Sequence, residues 1–65
     1  MDNRKFAFFE SFYEALEECT AKEAGAAVKA LCRRVFEGKK AKDLWGKAAD
    51  FYGMAVSTLE LNGDI

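Results

Sequence analysis

Phe6-Ala7-Phe8-Phe9-Glu10-Ser11-Phe12-Tyr13-Glu14-Ala15-Leu16 holds four of the chain's six phenylalanines and one of its two tyrosines. From Phe9 onward its spacing fits only a helix. At about 100° per residue, Phe8, Phe9, Phe12, Tyr13, Leu16 and Cys19 fall in one sector roughly 140° wide, with Glu10, Glu14, Glu17 and Glu18 opposite. Alternation at Phe6 and Phe8 is the one strand-like feature, and it stops at Glu10. The stretch therefore predicts an amphipathic helix over about 7–18, and so rich an apolar face must be buried.

The remainder of the chain is also helical. Thr20-Ala21-Lys22-Glu23 has the form of a capping box, in which the threonine hydroxyl accepts from the Glu23 amide and the glutamate reaches back to the Thr20 amide. It opens a second helix over 21–37, with Ala24, Ala27, Val28, Leu31, Cys32, Val35 and Phe36 on one broad face. Arg33 and Arg34 suit its C-terminal dipole, and Gly38 is the expected left-handed stop. Gly25 and its neighbouring alanines make the first half thin, as close approach of another helix requires.

Asp43 offers an N-cap for a third helix over 44–61, after the lysine-rich connection Lys39-Lys40-Ala41-Lys42. Leu44, Trp45, Ala48, Ala49, Phe51, Tyr52, Ala55, Val56 and Leu59 fill a sector about 160° wide, and Asn62-Gly63 ends it. Gly46, Gly53 and Ser57 lie opposite, a small-residue stripe that could admit a second helix at short distance. With no proline and few glycines, the chain lacks the turn density of a β-fold. The expected architecture is all-α: a three-helix bundle forming a single domain over 1–65, with flexible ends at 1–5 and 63–65.

The stripe widths bear on assembly. A chain of 65 residues buries only about 60% of the surface its unfolded form exposes. Small domains of this size gain stability from disulfides, metals or partners. The chain has no histidine and two cysteines, and Cys19 and Cys32 have no close-spaced ligand partner, so no metal or other cofactor is expected. A bridge between them is opposed by reach. Cys32 sits roughly 16 Å up the second helix, and a disulfide wants Cα atoms within about 7 Å. A bundle helix needs an apolar face a little over 100° wide, all three here exceed it, and contiguous exposed apolar surface usually marks an interface. The expectation is a homodimer built around Phe8, Phe9, Phe12, Tyr13 and Leu16, against the alternative of a compact monomer.

The opening stretch resembles a small helical protein family of phage and prophage genomes. Its start has the form Phe-x-Phe-(Tyr or Phe)-x-Ser-Phe-Tyr-Glu-Ala-(Ile or Leu), similar to Phe6, Phe8, Phe9, Ser11, Phe12, Tyr13, Glu14, Ala15 and Leu16. A second segment resembles Glu23 through Phe36-Glu37-Gly38, and a third resembles Gly46, Glu60 and Asn62, so the likeness covers roughly residues 6 to 62. The family pattern often has a proline where this chain has Ser57. It also often continues into a basic, glycine-rich tail where this chain reads Asn62-Gly63-Asp64-Ile65. The resemblance implies phage or prophage origin and a helical fold, and it brings no activity with it.

Charge is distributed unevenly within a net charge of −1. From Lys29 to Lys47 seven bases face two acids, a net of +5, while from Phe6 to Val28 five glutamates face one lysine, a net of −4. The sequence offers no general base of histidine type, no activated hydroxyl and no glycine-rich phosphate loop, so no enzyme is expected. Glutamates interrupt the apolar run after Lys5, against a signal peptide, and no stretch is long enough to span a bilayer. A cytoplasmic chain, with no membrane partner, is the simplest expectation. Two functional readings result. The first is a self-associating protein-protein interaction module that meets a phage or host protein. The second is a nucleic-acid-binding accessory or regulator using the basic segment 33–47, with Arg33, Arg34, Lys39, Lys40 and Lys42 on phosphates and Trp45 stacking on a base. The acidic pI of the whole chain weighs against the second.

Overall fold

A computed structural model describes residues 5–65. Among them are three helices: α1 Glu10–Glu17, α2 Ala21–Glu37 and α3 Gly46–Asn62. The chain is an all-α three-helix bundle, as the periodicity predicts. Of the expected flexible end at 1–5, residues 1–4 lie outside the described residues.

The capping box forms as its spacing predicts. The Glu23 amide donates to Thr20 Oγ1 at 3.1 Å, and the Thr20 amide donates to Glu23 Oε1 at 2.9 Å. Two of the orphan donors at the start of α2 are thereby satisfied. Gly38 ends the helix in the left-handed region at φ 70°. Gly63 does the same for α3, with the Asp64 amide donating to the Leu59 carbonyl at 2.9 Å and the Gly63 amide to that of Glu60 at 3.2 Å, a Schellman closure. Asp64 Oδ2 then accepts from Asn62 Nδ2 at 2.7 Å and from the Ala7 amide at 3.5 Å.

Two helix starts differ from expectation. Helix α1 begins at Glu10, not Ala7, because Phe9 is extended and caps it with backbone alone. The rings ahead of the helix point to different neighbours: Phe6 reaches Phe36 of α2 with ring centroids 5.5 Å apart, while Phe8 and Phe9 each meet Phe12 at 5.4 Å. Helix α3 begins at Gly46, not Leu44. Asp43 does not cap it; Trp45 is the extended N-cap residue and no side chain closes the first turn.

Helix directions explain the second difference. Glu18 at the end of α1 pairs with Lys47 at the start of α3, at 3.7 Å, and Ala7 meets Asp64, so α1 and α3 are antiparallel. Glu23 and Gly46 meet near the starts of α2 and α3, while Arg34 and Glu60 pair near their ends at 3.8 Å. These two helices therefore run parallel. The chain must return along the whole of α2 before α3 can start, roughly 25 Å at about 1.5 Å per residue. Residues 39–45 cover that distance as an extended strap, at about 3.3 Å per residue.

Both α1 and α2 pack on α3. The core is Phe12 from α1, Ala27, Leu31 and Val35 from α2, and Ala48, Phe51, Ala55 and Leu59 from α3. Ala27, Ala48 and Ala55 are fully enclosed, and their small side chains let α2 and α3 approach closely. Phe12 meets Phe51 edge-on with ring centroids 5.8 Å apart, a geometry that aligns ring edge and face. The radius of gyration, 11.2 Å, is close to the roughly 11 Å of a compact domain this long.

Candidate functional site: a basic cleft beside the strap

The helical wheel of α2 has two sides. One carries Ala27, Leu31 and Val35 into the core, and the other carries Lys22, Lys29 and Arg33, with Gly25, Ala26 and Ala30 between them. The strap runs beside this second side and leaves an open cleft of about 910 Å³. The thin half of α2 is shared: Ala27 lies enclosed in the core against α3, as close approach of a helix requires, while Gly25 and Ala26 form the cleft floor, where a side-chain carbon on Gly25 would meet nothing within 4 Å.

Three contacts position the strap. Tyr52 of α3 accepts a hydrogen bond through its hydroxyl from the Ala41 amide at 3.1 Å. Leu44 is half-buried against the core. At its end the Trp45 carbonyl accepts from the Ala48 and Ala49 amides at 3.1 and 3.3 Å. The turn into α3 then needs Gly46, whose φ is +51°, and Glu23 Oε2 lies 3.0 Å from where a side-chain carbon would stand. One glutamate thus caps α2 and abuts the start of α3.

The cleft is electropositive on both walls. Lys22, Lys29 and Arg33 line the helix side, Lys39, Lys40 and Lys42 the strap side, and Asp43 is the acid in the lining among the described residues. Trp45 lies at the cleft with 47% of its surface exposed. Lys39 also reaches Glu37 at 3.3 Å, but both side chains are more than half exposed, so the pair is worth at most about 1 kcal/mol and yields readily to another anion.

Of the residues named for nucleic-acid contact, the fold brings Arg33, Lys39, Lys40, Lys42 and Trp45 to this cleft. It turns Arg34 away toward Glu60, with only 18% of its side chain exposed. Lys22, Lys29 and Gly25 belong to the cleft and lie outside the segment 33–47. Their signal in the sequence is helical spacing: positions 22, 26, 29 and 33 make one stripe opposite the core face.

The residues named for self-association divide. Phe12 is fully buried, Phe9 and Leu16 are half-buried against the core, and Phe8 and Tyr13 are exposed by 53% and 58%. Of the small-residue stripe, Gly46 and Gly53 are exposed and Ser57 is exposed as well.

A smaller cleft of about 240 Å³ lies between α1 and α3, bordered by the Glu18–Lys47 pair and Met54. Nearby, Cys19 Sγ lies 3.6 Å from the Ala15 carbonyl, and desolvation, with the charge of Glu23 next, pushes its thiol above the ordinary range. A raised thiol holds less of the nucleophilic thiolate. Both cysteines are free. No described helix is long and apolar enough to cross a membrane. No protein-family model, curated protein or solved structure matches the chain.

Proposed function

We propose that this chain is a non-catalytic interaction module, of the phage or prophage kind that its opening motif resembles, acting in the cytoplasm and self-associating as a homodimer. The observation that carries the self-association is on and before α1, where Phe8 and Tyr13 stand more than half exposed around the buried ring of Phe12. Covering them in a second copy removes apolar area worth about 25 cal/mol per Å². The non-catalytic reading is supported by where the acids sit. Of the described carboxylates only Glu23 and Asp64 are half-buried, and both are engaged in structural hydrogen bonds, Glu23 with the Thr20 amide at the start of α2 and Asp64 with Asn62 Nδ2 and the Ala7 amide. Sedimentation at micromolar concentration tests the assembly: a species heavier than the 7.3 kDa chain is expected, and a single 7.3 kDa species rejects it.

The second reading, a nucleic-acid-binding accessory or regulator, has a specific observation of its own. The cleft gathers cations from two separate elements of the chain beside a half-exposed tryptophan. Titrating the chain with labelled oligonucleotides at low salt tests it, since phosphate contact is strongly salt-dependent.

A further inference from the structure

We propose that the cleft between α2 and the strap is a binding site for single-stranded nucleic acid, with backbone phosphates between its two basic walls and a base stacked on Trp45; this rests on the nucleic-acid reading of the chain. Three features of the cleft select this ligand. Its cations face one another across a concavity, Lys22, Lys29 and Arg33 on one wall and Lys39, Lys40 and Lys42 on the other. A flexible strand can enter a concavity lined in this way. A duplex is read by an element that projects into its groove, about 12 Å wide on the major side, and here the basic residues border a recess.

The floor is the second feature. Gly25 and Ala26 give it no side chain larger than a methyl group, and the space over Gly25 is open. A docked amphipathic helix needs deep apolar pockets for anchors at i, i+4 and i+7, which a glycine-alanine floor does not supply. A sugar or a flat base needs only clearance. Trp45 is the third feature. The residue is 47% exposed while its backbone is fixed by the first turn of α3, so it can stack on a base without losing its anchor, and stacking tolerates any base.

Binding of a fluorescein-labelled oligothymidylate about eight nucleotides long, within the usual site sizes of about 4–16, tests the proposal on the intact chain by anisotropy. With six cations available, the slope of log K against log salt is expected between about −2 and −4. Emission from Trp45, the chain's one tryptophan, should be quenched by the unlabelled oligomer as the base stacks. Substituting Lys29→Gln with Arg33→Gln should weaken binding by about tenfold or more. It should also make the slope shallower by about 1.4, because two phosphates go unneutralised at about 0.7 each. A charge-matched control, Arg34→Gln with Lys47→Gln, removes two cations outside the cleft and should change affinity less than about threefold. Circular dichroism establishes that each variant is folded.

The alternatives give different results. No binding at low salt overturns both this site and the nucleic-acid reading. Equal loss in the two double variants leaves that reading standing and overturns the cleft as the site. A duplex bound as tightly as the single strand overturns the strand preference. An oligoglutamate that binds as tightly as the oligothymidylate overturns the nucleic-acid ligand in favour of an acidic protein segment.

Discussion

Glu23 and Gly46 meet where α2 and α3 begin: one carboxylate oxygen of Glu23 takes the Thr20 amide at 2.9 Å, and the other lies 3.0 Å from the space a side chain at Gly46 would need. Gly46 is also at φ +51°. Gly46→Ala should therefore destabilise the fold by about 1–3 kcal/mol, from left-handed strain together with displacement of the cap. Gly53→Ala, in the interior of α3 with nothing within 4 Å, should stabilise it by about 0.4–1 kcal/mol. Urea unfolding of the two variants reads the contrast directly, and equal effects would mean that Gly46 is not under conformational demand.

The ring cluster gives a second contrast. Phe12 is fully enclosed and touches Phe8, Phe9 and Phe51, so Phe12→Ala should cost about 3–5 kcal/mol. Tyr13→Ala, at an exposed position next to it, should cost no more than about 0.5 kcal/mol in the monomer. If the chain self-associates through this face, Tyr13→Ala lowers the association constant while leaving the unfolding of dilute protein unchanged. Sedimentation and denaturant titration, run together, separate the two effects.

Local chemistry makes α2 legible residue by residue. Thr20, Glu23 and Gly38 signal through contacts within a few positions, and the helix runs between them as their spacing predicts. Leu31 and Leu59 are legible as core from spacing alone, whereas Phe12, read from its stripe as part of an interface, is fully enclosed in the core. The start of α3 is not, because Asp43 is a good cap in isolation but lies in a strap that has to stay extended to bring α3 back beside the start of α2. That return is a tertiary requirement with no periodic signature in Lys39-Lys40-Ala41-Lys42. The cleft is half legible for the same reason: the basic segment is visible in sequence, but Lys22 and Lys29 join it only once the strap runs along their side of α2.

Cys19 provides a test in pH. Its thiol is raised from the ordinary value of 9.0, first by desolvation and next by Glu23, so the folded state holds the proton to higher pH than the unfolded state. The resulting stability is present in full below the ordinary value and is lost as pH rises through the folded-state value. Cys19→Ala should therefore flatten the alkaline fall in stability relative to the parent chain, as measured by urea midpoints at several pH values. The parent thiol should also alkylate more slowly than a free cysteine at the same pH. A Cys19 that reacts as fast as a free thiol contradicts this.

Tyr52 ties the strap to α3 through one hydrogen bond, from the Ala41 amide to its hydroxyl at 3.1 Å. Tyr52→Phe keeps the ring and removes the acceptor, which should cost about 0.5–1.5 kcal/mol of stability. Because that bond lies midway along the strap, the loss should be local as well as global. Amide exchange at Ala41 should accelerate by more than the change in global stability accounts for, while amides in the middle of α2 slow or quicken only with it. The strap is also one wall of the basic cleft, so a looser strap must be ordered again when an anion binds. Tyr52→Phe should therefore weaken oligothymidylate binding by a few-fold without changing its salt slope, since every cation remains. An altered slope would mean that the strap lysines had left the site; unchanged exchange at Ala41 would mean that Leu44 and Trp45 hold the strap without Tyr52.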